Sequence, residues 1–298
     1  MQMKNNGEFN KEISDFKEKS MEKIFFLCAA MSVFFIVLIS VFIFKGGFSF
    51  IREVGIKDFI FNTKWAPTAP VPSFGIGSMI VGSILVTLIS SSLAIPVAIF
   101  TSTYLVFDCN KKLYKIFKSF LNLMAGIPSI VYGFFALNII VPVMQKLTGG
   151  TGMSILTASI LLFVMILPTI ISVIETSLRA IPKSYYEGSI ALGASHERSI
   201  VKVVLPAAKS GIFAGVILGV GRAIGETMAV ILVAGNQTRF TLDIFKGIRT
   251  MTSNIVLEMG YAEGLHREAL IATALVLFIF ILIINIVFFI AKRRSERI

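Results

Sequence analysis

Arg222 and Glu226 stand four residues apart in Gly221-Arg222-Ala223-Ile224-Gly225-Glu226-Thr227, inside a run from Ser210 to Thr238 with no other charge. At helical spacing the two side chains share one face and partly neutralise each other. An arginine at membrane depth costs roughly 2.5–3.5 kcal/mol on insertion scales, so the pair is either an ion lock between helices or a functional group. Its planar fork donates two hydrogen bonds, which suits a phosphoryl or carboxylate oxyanion. Glu226 would repel a bound dianion unless it holds the arginine between cycles or helps release the anion. Arg222, Glu226 and Thr227 are therefore the candidate translocation residues. Gly211, Gly215, Gly219, Gly221 and Gly225 give small-xxx-small spacing, with Gly221 and Gly225 as the packing positions nearest the charges.

The second candidate is polar. Pro182 is placed to start a helix and Gly193 to stop one, giving a short helix centred on Glu187. A further helical stretch runs on to Pro206. Two short helices joined by a glycine make either an ordered loop or a projecting knob. Tyr186, Glu187, Gly188, Gly193 and Ala194 are the residues such a knob would present.

These residues need elements to hold them. Ile24–Phe44 is uncharged over 21 residues, enough to span about 30 Å of hydrocarbon. A helix from about Gly77 to Val106 carries Pro96 as its natural bend. Ser119–Gln145 and Leu147–Ile174 follow, then Ser210–Thr238 and Ala269–Ala291, six spans in all. The resulting organisation is a charged tail over 1–23, a first span over 24–44 and an external loop over 45–74. A core with five spans over 75–291 contains the loop 179–209, and a basic tail covers 292–298. In the tail, Phe9, Ile13 and Phe16 fall at helical spacing and Asp15 faces Lys19. The tail is too long for a signal-peptide n-region, so the first span is expected to be retained.

Lys and Arg are distributed unevenly about these spans. The N-terminal tail, the Asp108–Lys118 loop, the 179–209 loop and the C-terminal tail hold 18, the opposite loops eight. The richer side, with both termini, is expected to be cytoplasmic, in a multi-pass protein of the plasma or inner membrane. Trp65, beside Pro67, Pro70 and Pro72, suits the opposite membrane–water boundary. In the 236–267 loop, Ile248, Met251, Ile255 and Met259 share a helical face, for core packing or for contact with an external protein.

Composition excludes other classes. Mean hydropathy is +0.84, and 15% of residues are charged where a soluble domain carries about 25%. The net charge of +11 flanks apolar segments and forms no nucleic-acid patch. Cys28 and Cys109 make no disulfide framework, and His196 and His266 have no ligand set nearby. No phosphate-cradling Gly-x4-Gly-Lys-Ser/Thr run occurs, so any ATP and Mg²⁺ belong to a partner subunit and this chain carries no cofactor.

Glu187, Gly193 and, nine residues on, Val203-Val204-Leu205-Pro206 resemble the cytoplasmic signature loop of ABC importer permeases: Glu-Ala-Ala, three residues, Gly, nine residues, Ile-x-Leu-Pro. Gly188 and Ser189 replace the alanines and Val203 the isoleucine. The run Gly221–Val230, with Arg249–Glu258 and Gly264–Leu270, is similar to the phosphate-uptake permeases of subunit-C type. The resemblance implies an all-α integral membrane fold of six helices like the type I importers. It implies a homologous second permease subunit, an ATPase dimer docked on the loop around Glu187 and Gly193, an external phosphate-binding protein and membrane lipid as surroundings. Arg222 and Glu226 would be implicated in transport. An ion-coupled secondary carrier, a non-transporting scaffold, or a permease for sulfate or molybdate are the competing readings.

Overall fold

The computed structural model describes residues 2–296, with side chains from 18 to 294. The expected face of Phe9, Ile13 and Phe16, the Asp15–Lys19 pair and the end of the basic tail lie outside the described side chains.

The first helix, α1 (Gln2–Val54), does not stop at Phe44 but runs on through Lys45 to Val54, where Gly55 at φ 92° breaks it. A short α2 (Ile56–Phe61) leads into β1 (Trp65–Ala66), paired antiparallel with β2 (Ser73–Phe74). The prolines thus sit in a hairpin connection. Helix α3 (Gly77–Phe107) keeps Pro96 inside an unbroken run.

The third apolar segment resolves into two helices. Residues 119–126 belong to α4 (Lys111–Gly126), which begins in the basic loop, and the span is α5 (Ser129–Thr148). Pro128 separates them because it disfavours a helical residue before it. The core is organised on α6 (Ile155–Arg179), whose Leu161, Leu162, Ile166, Ile170 and Ile174 are nearly inaccessible and pack against Val86, Ala94, Ala98 and Leu105 of α3.

After α6 come α7 (Lys183–Ala191) and α8 (His196–Ser199), a π-helical turn at Ile200–Val204 and the single turn α9 (Leu205–Ala207). The chain then bends by 71° into α10 (Lys209–Gly225). The fifth apolar segment is broken: α10 ends at Gly225, and α11 (Met228–Val233) starts anew. The α12 (Met251–Glu258) and α13 (Gly264–Glu296) helices complete the bundle. Among the described residues five helices are long and apolar enough to cross a membrane, and the bent pair containing α10 makes a sixth.

Small residues set the contact of α10 with α6. A Cβ on Gly211 would lie 2.0 Å from Ser177 Oγ, and one on Gly219 would lie 2.4 Å from Ile170 Cγ1. Close approach of this kind supplies dispersion contacts in a medium where apolar burial alone drives little association. Gly221 and Gly225 have nothing within 4 Å of such a Cβ. The packing expected of them is not made among the described residues; Gly211, Gly215 and Gly219 make it, from a neighbouring face of the helix.

Candidate functional site

The break after Gly225 determines where the intramembrane charges point. Glu226 takes an extended conformation (φ −71°, ψ 131°), which carries its carboxylate off the face of α10. Its Oε1 accepts from the Ala229 amide at 3.2 Å, satisfying one of the free N–H groups at the start of α11. Its carbonyl accepts from Thr252 Oγ1 at 3.1 Å. Arg222 instead donates from Nη1 to Thr169 Oγ1 of α6 at 2.9 Å. The expected Arg222–Glu226 pair is not among the ion pairs of the described residues. It needed a continuous helix, and the helix ends one residue too soon.

Both side chains are half-buried, and Gly221, Gly225 and Met228 beside them are exposed. A hydroxyl holds the guanidinium in place without neutralising it, so its positive charge stays open to an anion. Behind it, Glu226 lines a cavity of about 10 Å³ with Ser83, Thr87, Thr250 and Thr252, room for about one water. Thr227 Oγ1 donates only to the Gly225 carbonyl, at 3.3 Å. The secondary-carrier reading relied on Arg222 and Glu226 acting as one relay, which this arrangement does not form.

The polar loop folds as its punctuation dictates. Pro182 precedes α7, and Gly193 adopts φ 86°, a left-handed stop that frees its amide to donate to the Ile190 carbonyl at 2.9 Å. Glu187, Gly188 and Gly193 are exposed and Ala194 is half-buried. Tyr185, Ile190 and Leu192 are exposed apolar neighbours, Leu192 at 91%. This is an open surface with a charged centre.

Tyr186 turns inward. Its hydroxyl lies 2.7 Å from His196 Nδ1, and His196 Nε2 lies 2.8 Å from Asp108 Oδ1 just past the end of α3. Phe107 packs on the Tyr186 ring at 5.8 Å. Sequence reasoning passed over His196 as a metal candidate only. Its position three residues after Gly193 was the available signal, while nothing marked Asp108 as its partner.

Two further polar centres brace the opposite ends of the bundle. At the α7 end, Glu175 is 2% exposed and accepts from Tyr114 Oη at 2.6 Å, Lys118 Nζ at 2.7 Å and Arg179 Nε at 2.9 Å. Hydrogen bonding to that carboxylate, with burial second, raises the Tyr114 pKa above its ordinary value. At the other end, Glu258 accepts from Trp65 Nε1 at 2.9 Å and pairs with Arg249 and with His266 Nε2. Trp65 is thus a buried strut and not the boundary anchor expected of it, because Glu258 gives its indole N–H a partner inside. The helix around Met251 buries Thr252, Ser253 and Asn254 as well as Met251, and Ile248 lies before it, so the expected apolar face from 248 to 259 is not one face.

A family model described as the inner membrane component of binding-protein-dependent transport systems matches residues 94–297. The probable ABC transporter permease protein YqgH of Bacillus subtilis is 36% identical over 277 residues, covering 90% of this chain and 89% of that protein. The probable phosphate transport system permease protein PstC of Methanocaldococcus jannaschii is 32% identical, covering 93% and 94%. Among solved structures, the inward-facing MetNI methionine ABC transporter matches with a TM-score of 0.60 at 21% identity, over 73% of this chain and 94% of that one. A bacterial alginate ABC transporter matches at 0.61 and 15% identity, over 91% and 94%. At these identities the two structures speak to the fold, which is that of the ABC importer permeases.

Proposed function

Because the chain belongs to the family of binding-protein-dependent transport system inner membrane components, we propose that it is the permease subunit of an ATP-driven phosphate importer. Relatives called phosphate transport permeases, 29–32% identical over most of the chain, support the substrate. The observation that carries the reading is the guanidinium of Arg222, held by Thr169 and unneutralised at the broken end of α10. An inorganic oxyanion with several acceptor oxygens is the natural partner of such a fork.

In this reading the exposed face of Gly221 and Gly225 lies against a homologous second permease, with the anion path between the two. The surface of Glu187, Gly188, Leu192 and Gly193 docks a separate ATPase subunit, which binds ATP and Mg²⁺. Both termini and α7 face the cytoplasm, a side that the excess of Lys and Arg supports. An external binding protein delivers phosphate to the Glu258 end. Closure of the ATPases pushes α7, and the Tyr186–His196–Asp108 contacts pass the push to α3.

The test is uptake of labelled phosphate into vesicles holding the assembled transporter, with sulfate and molybdate as competitors. Arg222→Gln is expected to abolish most uptake while leaving assembly intact, and competition is expected only from unlabelled phosphate. Normal phosphate uptake by Arg222→Gln, or inhibition by sulfate or molybdate as strong as by phosphate, would refute the reading.

A further inference from the structure

The helix α4 is divided lengthwise into three chemically different faces. Asn110 caps it, its Oδ1 accepting from the Leu113 amide at 2.8 Å. One face turns inward: Tyr114 and Lys118 reach Glu175, and Leu121 is buried. At about 100° per residue, Ile116, Phe120 and Leu123 fall on a second face. They are 66%, 60% and 64% exposed, so none of the described residues covers them. Lys111 and Lys115, with Ser119 and Asn122, occupy the third face, and Lys112 lies on its border with the apolar one.

The helix is 16 residues long and carries four lysines, so it is too short and too charged to cross a membrane. It is nonetheless held at membrane level, because the span α3 ends at Phe107 just before it and the span α5 begins at Ser129 just after it. No acidic residue occurs on it. Among the described residues only Lys118 of its four lysines is in an ion pair. Asn110, Lys111, Lys112, Leu113 and Ile116 also line one open concavity of about 480 Å³.

We propose that α4 is a seat for anionic phospholipid: its Ile116–Phe120–Leu123 face lies among acyl chains, and Lys111, Lys112 and Lys115 bind the phosphate-bearing headgroups. An apolar stripe beside a basic one is the pattern of a helix lying in the interface plane, with lysine stems running along the apolar surface and their amines at headgroup depth. A zwitterionic phospholipid offers acyl chains and a phosphate, but its own ammonium cancels the charge. An anionic headgroup leaves that charge free for the three lysines. Through Lys118, Glu175 and Arg179 the same helix is fastened to the end of α6, four residues before α7 begins.

The test uses the full chain assembled with its partners, in vesicles of phosphatidylcholine with and without phosphatidylglycerol. A nitroxide on Phe120→Cys, in a Cys28→Ser/Cys109→Ser background, is expected to meet oxygen and to be shielded from a water-soluble nickel chelate. Spin-labelled phosphatidylglycerol is expected to be held over phosphatidylcholine, with the preference falling about fivefold for each lysine replaced in Lys111→Gln, Lys112→Gln and Lys115→Gln. Lys→Arg at the same positions keeps the preference and shows that the glutamine variants lose charge and not fold. Free inorganic phosphate leaves it unchanged. A label open to nickel, or closed to both reagents because a subunit covers it, overturns the proposal. So does a lipid preference that is absent, indifferent to the lysines, or displaced by phosphate.

Discussion

His196 Nε2 lies 2.8 Å from Asp108 Oδ1, across 88 residues of sequence, and its other ring nitrogen meets Tyr186 of α7. The imidazole thereby spans the surface proposed to receive the ATPase and the end of a membrane-spanning helix. Both hydrogen bonds are half-exposed, so each is worth only about 1 kcal/mol. Their value lies in fixing direction. His196→Ala is expected to leave ATPase binding near normal, since the exposed face around Glu187 is untouched, and to raise the ATP hydrolysed per phosphate moved severalfold. Measuring hydrolysis and uptake on the same vesicles decides it: an unchanged ratio removes the transmission role.

Glu175 is sealed in, while its partners Lys118 and Arg179 are 31% and 45% exposed. That asymmetry predicts an order of stabilities. Losing the acid leaves two cations that swing to water, whereas losing the cations strands a buried charge. Glu175→Gln should cost about 1–2 kcal/mol. Lys118→Gln with Arg179→Gln should cost about 3–5 kcal/mol. Thermal unfolding of the three chains in the same detergent ranks them, and the reverse order would contradict the burial argument.

Tyr114 adds a pH dependence. Its folded pKa is raised, chiefly by the hydrogen bond it donates to Glu175, so folding favours the protonated phenol. The stabilisation is fully present below the ordinary tyrosine pKa near 10 and is lost as pH rises through the folded value. Unfolding temperatures of the wild type are expected to fall more steeply above pH 10 than those of Tyr114→Phe. Parallel slopes would sink this assignment.

The spans, the stop at Gly193 and the intramembrane position of Arg222 were legible because each depends on local composition: runs without charge, a glycine after a short helix, a cation among apolar residues. What escaped depends on distant partners. Arg222 and Glu226 looked paired because spacing assumes an unbroken helix, and the 225–226 break is stabilised by Thr252, 26 residues on. Trp65 reads as a boundary residue until Glu258 is placed 2.9 Å from its indole nitrogen, 193 residues away. The glycine stripe announced packing but not which side packs. Facing neighbours decide that, and they are not in the local sequence.

Two glycines of α10 therefore separate the chain's own packing from assembly. A methyl on Gly211 would meet the short side chain of Ser177, 2.2 Å from its Cβ, which has no room to swing away. A methyl on Gly225 meets nothing among the described residues. Gly211→Ala is expected to destabilise the isolated subunit by about 1–3 kcal/mol, the usual range for overpacking. Gly225→Ala should leave its unfolding temperature unchanged, because the face it occupies is open in the monomer. If that face is where the second permease packs, the same substitution weakens co-purification of the pair and lowers uptake. A Gly225→Ala chain that pairs and transports normally would move the subunit contact elsewhere on the bundle.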